Sequence, residues 1–338
     1  MTDAGDHRPK LGPNDWVIDE AFALRVLPHR GFGAHKWGVG GLVVVAGAPG
    51  YVGAPVLCGQ AAARAGAGIV NLAVPRALIS AIAAYAPEIA YVPLPGDDSG
   101  AGLRRAVEAI GEKLERSRAA VIGPGLGNDE AATALLSALF NRGPVTTPIG
   151  FGRSHAQPGP SGAAAGAPFG GKHLVIDADG LNWLARQDKW WEWLEPGQAV
   201  LTPHPGEMAR LRGQEPRQVI ADPLKTVREA ARVWNQVVVF KYGYTAVSDG
   251  RQTAVSPEAP ASLATAGSGD VFAGSIGAFL AQGLSPFDAA ALAIYVGCRA
   301  ARRVERRVGT LGLIATDLPL AIAEETAALE RAREGVHA

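Results

Sequence analysis

Asp270 closes a short polar run, Ala264–Asp270 (ATAGSGD), that leads straight into VFAGSIGAFLAQG. That following stretch is apolar on nearly all sides and predicts a buried helix. Gly267 and Gly269 let the backbone turn tightly, leaving free N–H groups at the helix start beside Ser268. Unpaired donors and the positive end of the dipole bind anions there. A carboxylate next to an anion is unfavourable unless it works as a base on an incoming hydroxyl, and that is the chemistry open to Asp270. The competing reading leaves Ser268 and Asp270 as caps of a core helix.

Four other clusters carry groups of similar potential. Leu201–Met208 (LTPHPGEM) fixes a rigid turn with two prolines and a glycine, holding His204 and Glu207 at its rim; His204 can equally be a loop histidine with a backbone partner. In Val175–Leu184 (VIDADGLNWL), Asp177 and Asp179 end an apolar run as hard oxygen donors able to hold a metal–phosphate complex. Asp179–Gly180 reads equally well as a turn and helix cap. Gly123–Gly127 (GPGLG) permits close backbone approach to a ligand, or is a plain tight turn. Lys241–Thr245 (KYGYT) offers a lysine for phosphate, or one that is merely solvated.

These clusters follow short apolar, β-branched runs: LVVVAGA from residue 42, IVNLAVP at Ile69–Pro75, AAVIG at 119–123, HLVID at 173–177, AVLTP at 199–203 and VVVFK at 237–241. Continuous apolar runs alternating with helical stretches predict a mostly parallel sheet with helices on both faces. In such sheets ligands bind beyond the carboxyl ends of the strands, where the polar clusters fall. Small residues from Gly53 to Gly68 predict a helix packed closely on the sheet, completing a β-α-β unit. A short helix is expected near Glu20–Leu27 and a terminal helix from Asp317. The segment 144–171, rich in Gly, Pro, Ala and Ser, reads as a flexible surface insertion within one domain spanning 1–338.

Composition removes several classes. The 338 residues carry 32 basic and 32 acidic side chains, so no overall field draws in nucleic acid or an anionic membrane, and any anion must be held locally. There is no GxxxxGK[ST], no full GxGxxG with a downstream acid, no GxSxG and no HExxH. GAPGYVG at Gly47–Gly53 lacks the P-loop lysine. The two cysteines, Cys58 and Cys298, have no metal or redox spacing and read as small hydrophobes. No apolar h-region follows the N-terminal residues, so the expected compartment is cytoplasmic.

Taken in order, HKW, AGAPGYVGAPVLCGQAAARAGAGIVNLAVP, GPGLG, VIDADGLN, LTPHPGEMARL and ATAGSGDVFAG closely resemble the ADP/ATP-dependent NAD(P)H-hydrate dehydratases of the ribokinase-like superfamily, over roughly residues 15–315. The resemblance implies a three-layer α/β/α fold with a mostly parallel central sheet. It implies repair of hydrated NADH or NADPH by phosphoryl transfer from ADP (or ATP) to the ring hydroxyl and elimination of phosphate. Asp270 would then be the base, with the amides around Gly267, Ser268 and Gly269 stabilising the phosphoryl charge. Ala54, Gly125, His204 and Asp270 would meet the dinucleotide; Lys241, Tyr242, Gly243, Tyr244, Thr245 and Gly269 would hold the adenine nucleotide. Mg²⁺ would accompany the phosphates, its ligands unassigned. A homo-oligomer, with a tetramer plausible, and a separate epimerase acting on the same metabolite are implied partners. The chain departs from the family in placing Tyr242 between Lys241 and Gly243, and in the length of the 144–171 segment. A vitamin-precursor kinase of the same fold and a non-catalytic nucleotide-binding regulator are the rival readings.

Overall fold

In the computed structural model, which describes residues 9–96, 100–141 and 169–336, the apolar runs become strands of one sheet. The strands are β1 Asp15–Val17, β2 Gly41–Val45, β3 Ile69–Pro75, β4 Ala90–Leu94, β5 Ala119–Ile122, β6 His173–Ile176, β7 Ala199–Leu201, β8 Val237–Phe240, β9 Ala246–Ser248 and β10 Thr253–Val255. Their spatial order is β1-β10-β9-β8-β7-β6-β5-β2-β3-β4. Antiparallel pairing is confined to β9, against β8 and β10; every other pairing is parallel.

The apolar runs are unbroken because both faces of these strands are covered. Leu42, Val44, Val121, Val175 and Val239 pack on one side with the helices Gly53–Arg64, Ser268–Ala281, Pro286–Gly312 and Leu318–Val336. Val43, Val45, Ile122, Ile176 and Phe240 pack on the other with Gly100–Glu115, Glu130–Leu139, Asp179–Leu184, Pro205–Arg212 and Pro223–Trp234. The result is the expected three-layer α/β/α arrangement.

Four strands escaped the sequence reading. β4 carries Pro93 and survives because it is an edge strand paired only to β3. β1, β9 and β10 have three residues each, too short to show a period. The long helix Pro286–Gly312, broken at Gly309, was not anticipated either. Of the insertion expected at 144–171, residues 144–168 lie outside the described residues. At its end Phe169 is buried against Phe140, with ring centroids 5.4 Å apart.

The connectivity selects one crevice. From β2 the chain proceeds outward through β3 and β4, then crosses back over β2 to β5, β6, β7 and β8. The two directions diverge between β2 and β5, so the loops beyond those strands splay apart. That is where an open α/β sheet receives a ligand.

Candidate active site

Asp177, Thr202 and Lys241 are each the first or second residue past three adjacent parallel strands, β6, β7 and β8. The sheet therefore lines them up in a row. Asp177 Oδ1 accepts a hydrogen bond from the Thr202 hydroxyl at 2.6 Å and from Lys241 Nζ at 2.8 Å. The Asp177 side chain is 2% exposed and that of Lys241 22%, so this lysine is held rather than solvated. Burial works against the ammonium, but Asp177, Glu207 and Asp270 outweigh it and hold Lys241 above the usual lysine pKa.

Opposite the row begins the Ser268–Ala281 helix. Gly267 is its N-cap with φ +88°, and no side chain caps the turn. A Cβ on Gly267 would come 2.5 Å from Leu57 Cδ1 and 3.0 Å from Ala315 Cβ, so space as well as φ requires glycine. The simple-cap reading of Ser268 fails here: its hydroxyl donates back into the loop, to the carbonyls of Leu263 and Thr265. Gly269 corrects an expectation. It is not a left-handed turn residue but lies within the helix. Its value is proximity, since a Cβ there would stand 3.5 Å from Lys241 Nζ and 3.8 Å from Asp177 Oδ2. The uncapped helix start and the lysine thus face one another across a site suited to phosphate.

Asp270, in the first turn, has its pKa raised to about 7. Burial is the main cause, Asp177 and Asp179 add to it, and Lys241 opposes it. Asp270 Oδ2 lies 3.9 Å from where a Gly267 Cβ would be. Two spaces open near this helix start. One is a cavity of about 750 Å³ lined by Lys241, Tyr242, Gly243, Thr245, Ser268 and Gly269 at one end. Ile294, Cys298, Leu318 and Ile322 line it at the other. Such a volume suits a small-molecule ligand. The second space is the crevice at the β2/β5 divergence. Gly125 has φ +59°, and a Cβ on it would reach within 2.7 Å of Ala54 Cβ, so the two loops meet there. Gly47 N–H donates to Pro124 O at 2.9 Å, and Asp179 Oδ2 accepts from Gly127 N–H at 2.8 Å.

His204 satisfies both of its sequence readings. Nδ1 accepts from the amides of Gly206 (3.0 Å) and Glu207 (3.4 Å), capping the Pro205–Arg212 helix. Those bonds assign the ring proton to Nε2, which lies 3.5 Å from Glu207 Oε1. Burial, with Lys241 and Arg210, holds its pKa below the usual histidine value, so the ring is neutral. Glu207 is 5% exposed and closes the capping box by accepting from His204 N–H at 2.9 Å. Burial raises its pKa to about 7.

Of the expected nucleotide residues, Tyr244 is the one whose ring turns away, packing on the core layer instead of lining the cavity. Thr202 went unnamed in the sequence reading, whereas Asp177 and Glu207 were named as candidates but given no role by the family resemblance. Their signals were the strand-end position of VIDAD and the proline-led capping spacing of HPGE. Both cysteines are free and buried, and burial, followed by the charges of Asp270 and Asp177, pushes the Cys58 thiol well up.

Known proteins match this arrangement. A family model described as NAD(P)H-hydrate dehydratase covers residues 42–145 and 164–324. A bifunctional NAD(P)H-hydrate repair enzyme Nnr from Moorella thermoacetica is 35% identical over 307 residues, covering 90% of this chain and 52% of that protein. The chain spans about half the length of the curated relatives it matches. Among solved structures, a ribokinase-like superfamily protein from Enterococcus faecalis superposes with TM-score 0.74 at 19% identity, covering 96% of this chain and 99% of that one. The ADP/ATP-dependent NAD(P)H-hydrate dehydratase from Bacillus subtilis, co-crystallised with ATP and Mg²⁺, gives 0.72 at 22% identity, covering 95% and 100%. The fold is thus ribokinase-like, and the chain belongs to the NAD(P)H-hydrate dehydratase family.

Proposed function

We propose that the protein is an ADP-dependent (S)-NAD(P)H-hydrate dehydratase. The observation that carries this reading is Asp270: a carboxyl with a pKa of about 7, in the first turn of an uncapped helix whose start faces Lys241 and whose Ser268 and Gly269 line a nucleotide-sized cavity. The hydrated dinucleotide lies in the crevice against Ala54 and Gly125, with His204 Nε2 donating to it. The nucleotide lies in the cavity, its phosphates between Lys241, Tyr242, Gly243, Thr245 and the amides at Gly269 and Asp270.

Asp270 accepts the proton of the ring hydroxyl as that oxygen bonds to the terminal phosphorus of ADP, and AMP leaves with the broken bridging bond. Phosphate then departs from the ring carbon with the C–O electrons. Loss of a proton from the neighbouring carbon restores the double bond, giving NAD(P)H and phosphate. Mg²⁺ neutralises phosphate charge when it is bound with the nucleotide. The described residues gather no group of three metal-ligating side chains, and Asp177 is already held by Lys241 and Thr202. They fit an ion brought in on phosphate and water, which is how magnesium usually binds nucleotide sites.

No helix among the described residues is long and apolar enough to cross a membrane. The cytoplasm as compartment, a homo-oligomeric state and a separate epimerase acting on the same metabolite complete the proposal. The bifunctional name of the Moorella relative supports the pairing with a second activity. Light scattering tests the oligomer.

The deciding assay follows absorbance at 340 nm as protein meets hydrated NADH with ADP, with ATP, and with neither. A rise with ADP is the expected result, and a larger rise with ATP would reassign the donor. A flat trace with every donor, from folded protein, overturns the reading and turns the same fold to phosphorylation of a vitamin precursor.

A further inference from the structure

Asp177 has no part in the steps above, yet it is among the most buried acids of the protein and the hub of the strand-end row. Its Oδ1 holds Thr202 Oγ1 and Lys241 Nζ, while Oδ2 faces the start of the Ser268–Ala281 helix at Gly269. Among the described residues Lys241 has no other hydrogen-bonded carboxylate, and its backbone is pinned by Lys241 N–H donating to Pro203 O at 3.0 Å. The ammonium is thus aimed from both ends of its side chain. We infer that Asp177 is a positioning residue: it fixes the Lys241 ammonium at the transferring phosphoryl group. The inference rests on the dehydratase reading for the identity of the transferred group.

The electrostatics agree with the geometry. The groups facing Asp270 are Asp177 from β6, Asp179 from the Asp179–Leu184 helix, Lys241 from β8 and the buried Cys58 thiol of the Gly53–Arg64 helix. Glu207, from the Pro205–Arg212 helix, faces Asp177 and Lys241. Asp177 is the largest charge acting to keep Asp270 protonated, and Lys241 is the charge that opposes it. Removing the two partners of one ion pair must therefore move Asp270 in opposite directions.

The test compares Asp177→Asn, Thr202→Val and Lys241→Gln with the wild type, using carbon NMR of aspartate-labelled full-length protein, with Asp270→Asn identifying the signal. The rate of hydrated NADH repair is measured across pH alongside. The Asp270 carboxyl should titrate near 7 in the wild type. It should titrate lower in Asp177→Asn, higher in Lys241→Gln, and with little change in Thr202→Val, where the charge remains. In Asp177→Asn the acid limb of kcat should follow, and kcat at its plateau should fall at least about tenfold, as misplacement of a phosphate-binding cation demands. Shifts of the same sign in both charge variants, or an unmoved Asp270 signal in Asp177→Asn, overturn the inference. If Asp177→Asn does not fold, the upward shift in Lys241→Gln decides. A wild type inert toward hydrated NADH would sink the dehydratase reading alone, since the NMR titration needs no turnover.

Discussion

At the scale of single residues, most of the chemistry is set by how little water reaches a few carboxylates. Asp270 and Glu207 both have pKa values of about 7, and burial is the main cause for each. An acid raised in the folded state binds more protons there than in the unfolded chain, so its contribution to stability falls as pH rises from the ordinary carboxylate range toward 7. Asp270→Asn removes that penalty. The variant should melt at a higher temperature than the wild type at about pH 8 and show a much smaller gain at about pH 5, measured by calorimetry. The same change should lower kcat by at least about 10²-fold while nucleotide binding, followed by titration calorimetry, is retained. Turnover near the wild-type level would remove Asp270 from the base role. In the wild type the rate should decline as pH falls through about 7, because only the ionised carboxylate accepts the proton.

At the scale of elements, function depends on where helices begin. The Ser268–Ala281 helix starts without a side-chain cap because Gly267 takes φ +88° between Leu57 and Ala315. Gly267→Ala should cost roughly 1–2 kcal/mol from the left-handed backbone, with more from the added contacts. Nucleotide affinity should fall with it, since the first-turn amides move as a unit. Chemical denaturation and equilibrium nucleotide titration check the two effects separately. Unchanged affinity would mean that those amides do not hold phosphate. The Pro205–Arg212 helix shows the converse arrangement: its cap is His204 itself, so one residue both starts a helix and lines the cavity beside Lys241.

At the scale of the whole molecule, one edge of the sheet is formed by β1. β1 pairs with β10, and Asp15, with a side chain 3% exposed, accepts from Arg228 Nη2 at 2.6 and 2.8 Å. Asp15→Ala should destabilise the protein by about 1–3 kcal/mol, less than a fully buried pair because Arg228 is 28% exposed. Urea unfolding measures this. The kinetic constants should stay at wild-type values, because Asp15 pairs with Thr253, at the end of β10 remote from Glu258, and neither lines the cavity.

Local sequence determined the central strands, because strands buried on both faces must be continuously apolar, and it determined the helix that follows Gly267. It also placed His204 and Lys241 after strands and Asp270 at the start of a helix, since strand, turn and helix each leave a local signature. It left β1, β9 and β10 unseen, as three residues carry no period, and β4 was masked by Pro93. The tertiary structure alone decided three things. Lys241 is bound to Asp177, 64 positions away in the chain, because parallel β6, β7 and β8 end side by side. Gly269 serves proximity to that pair and not a turn. Asp270 and Glu207 are raised to about 7 because packing removed their water. Strand order and burial arise from contacts distant in sequence, and neither is encoded in any local run of residues.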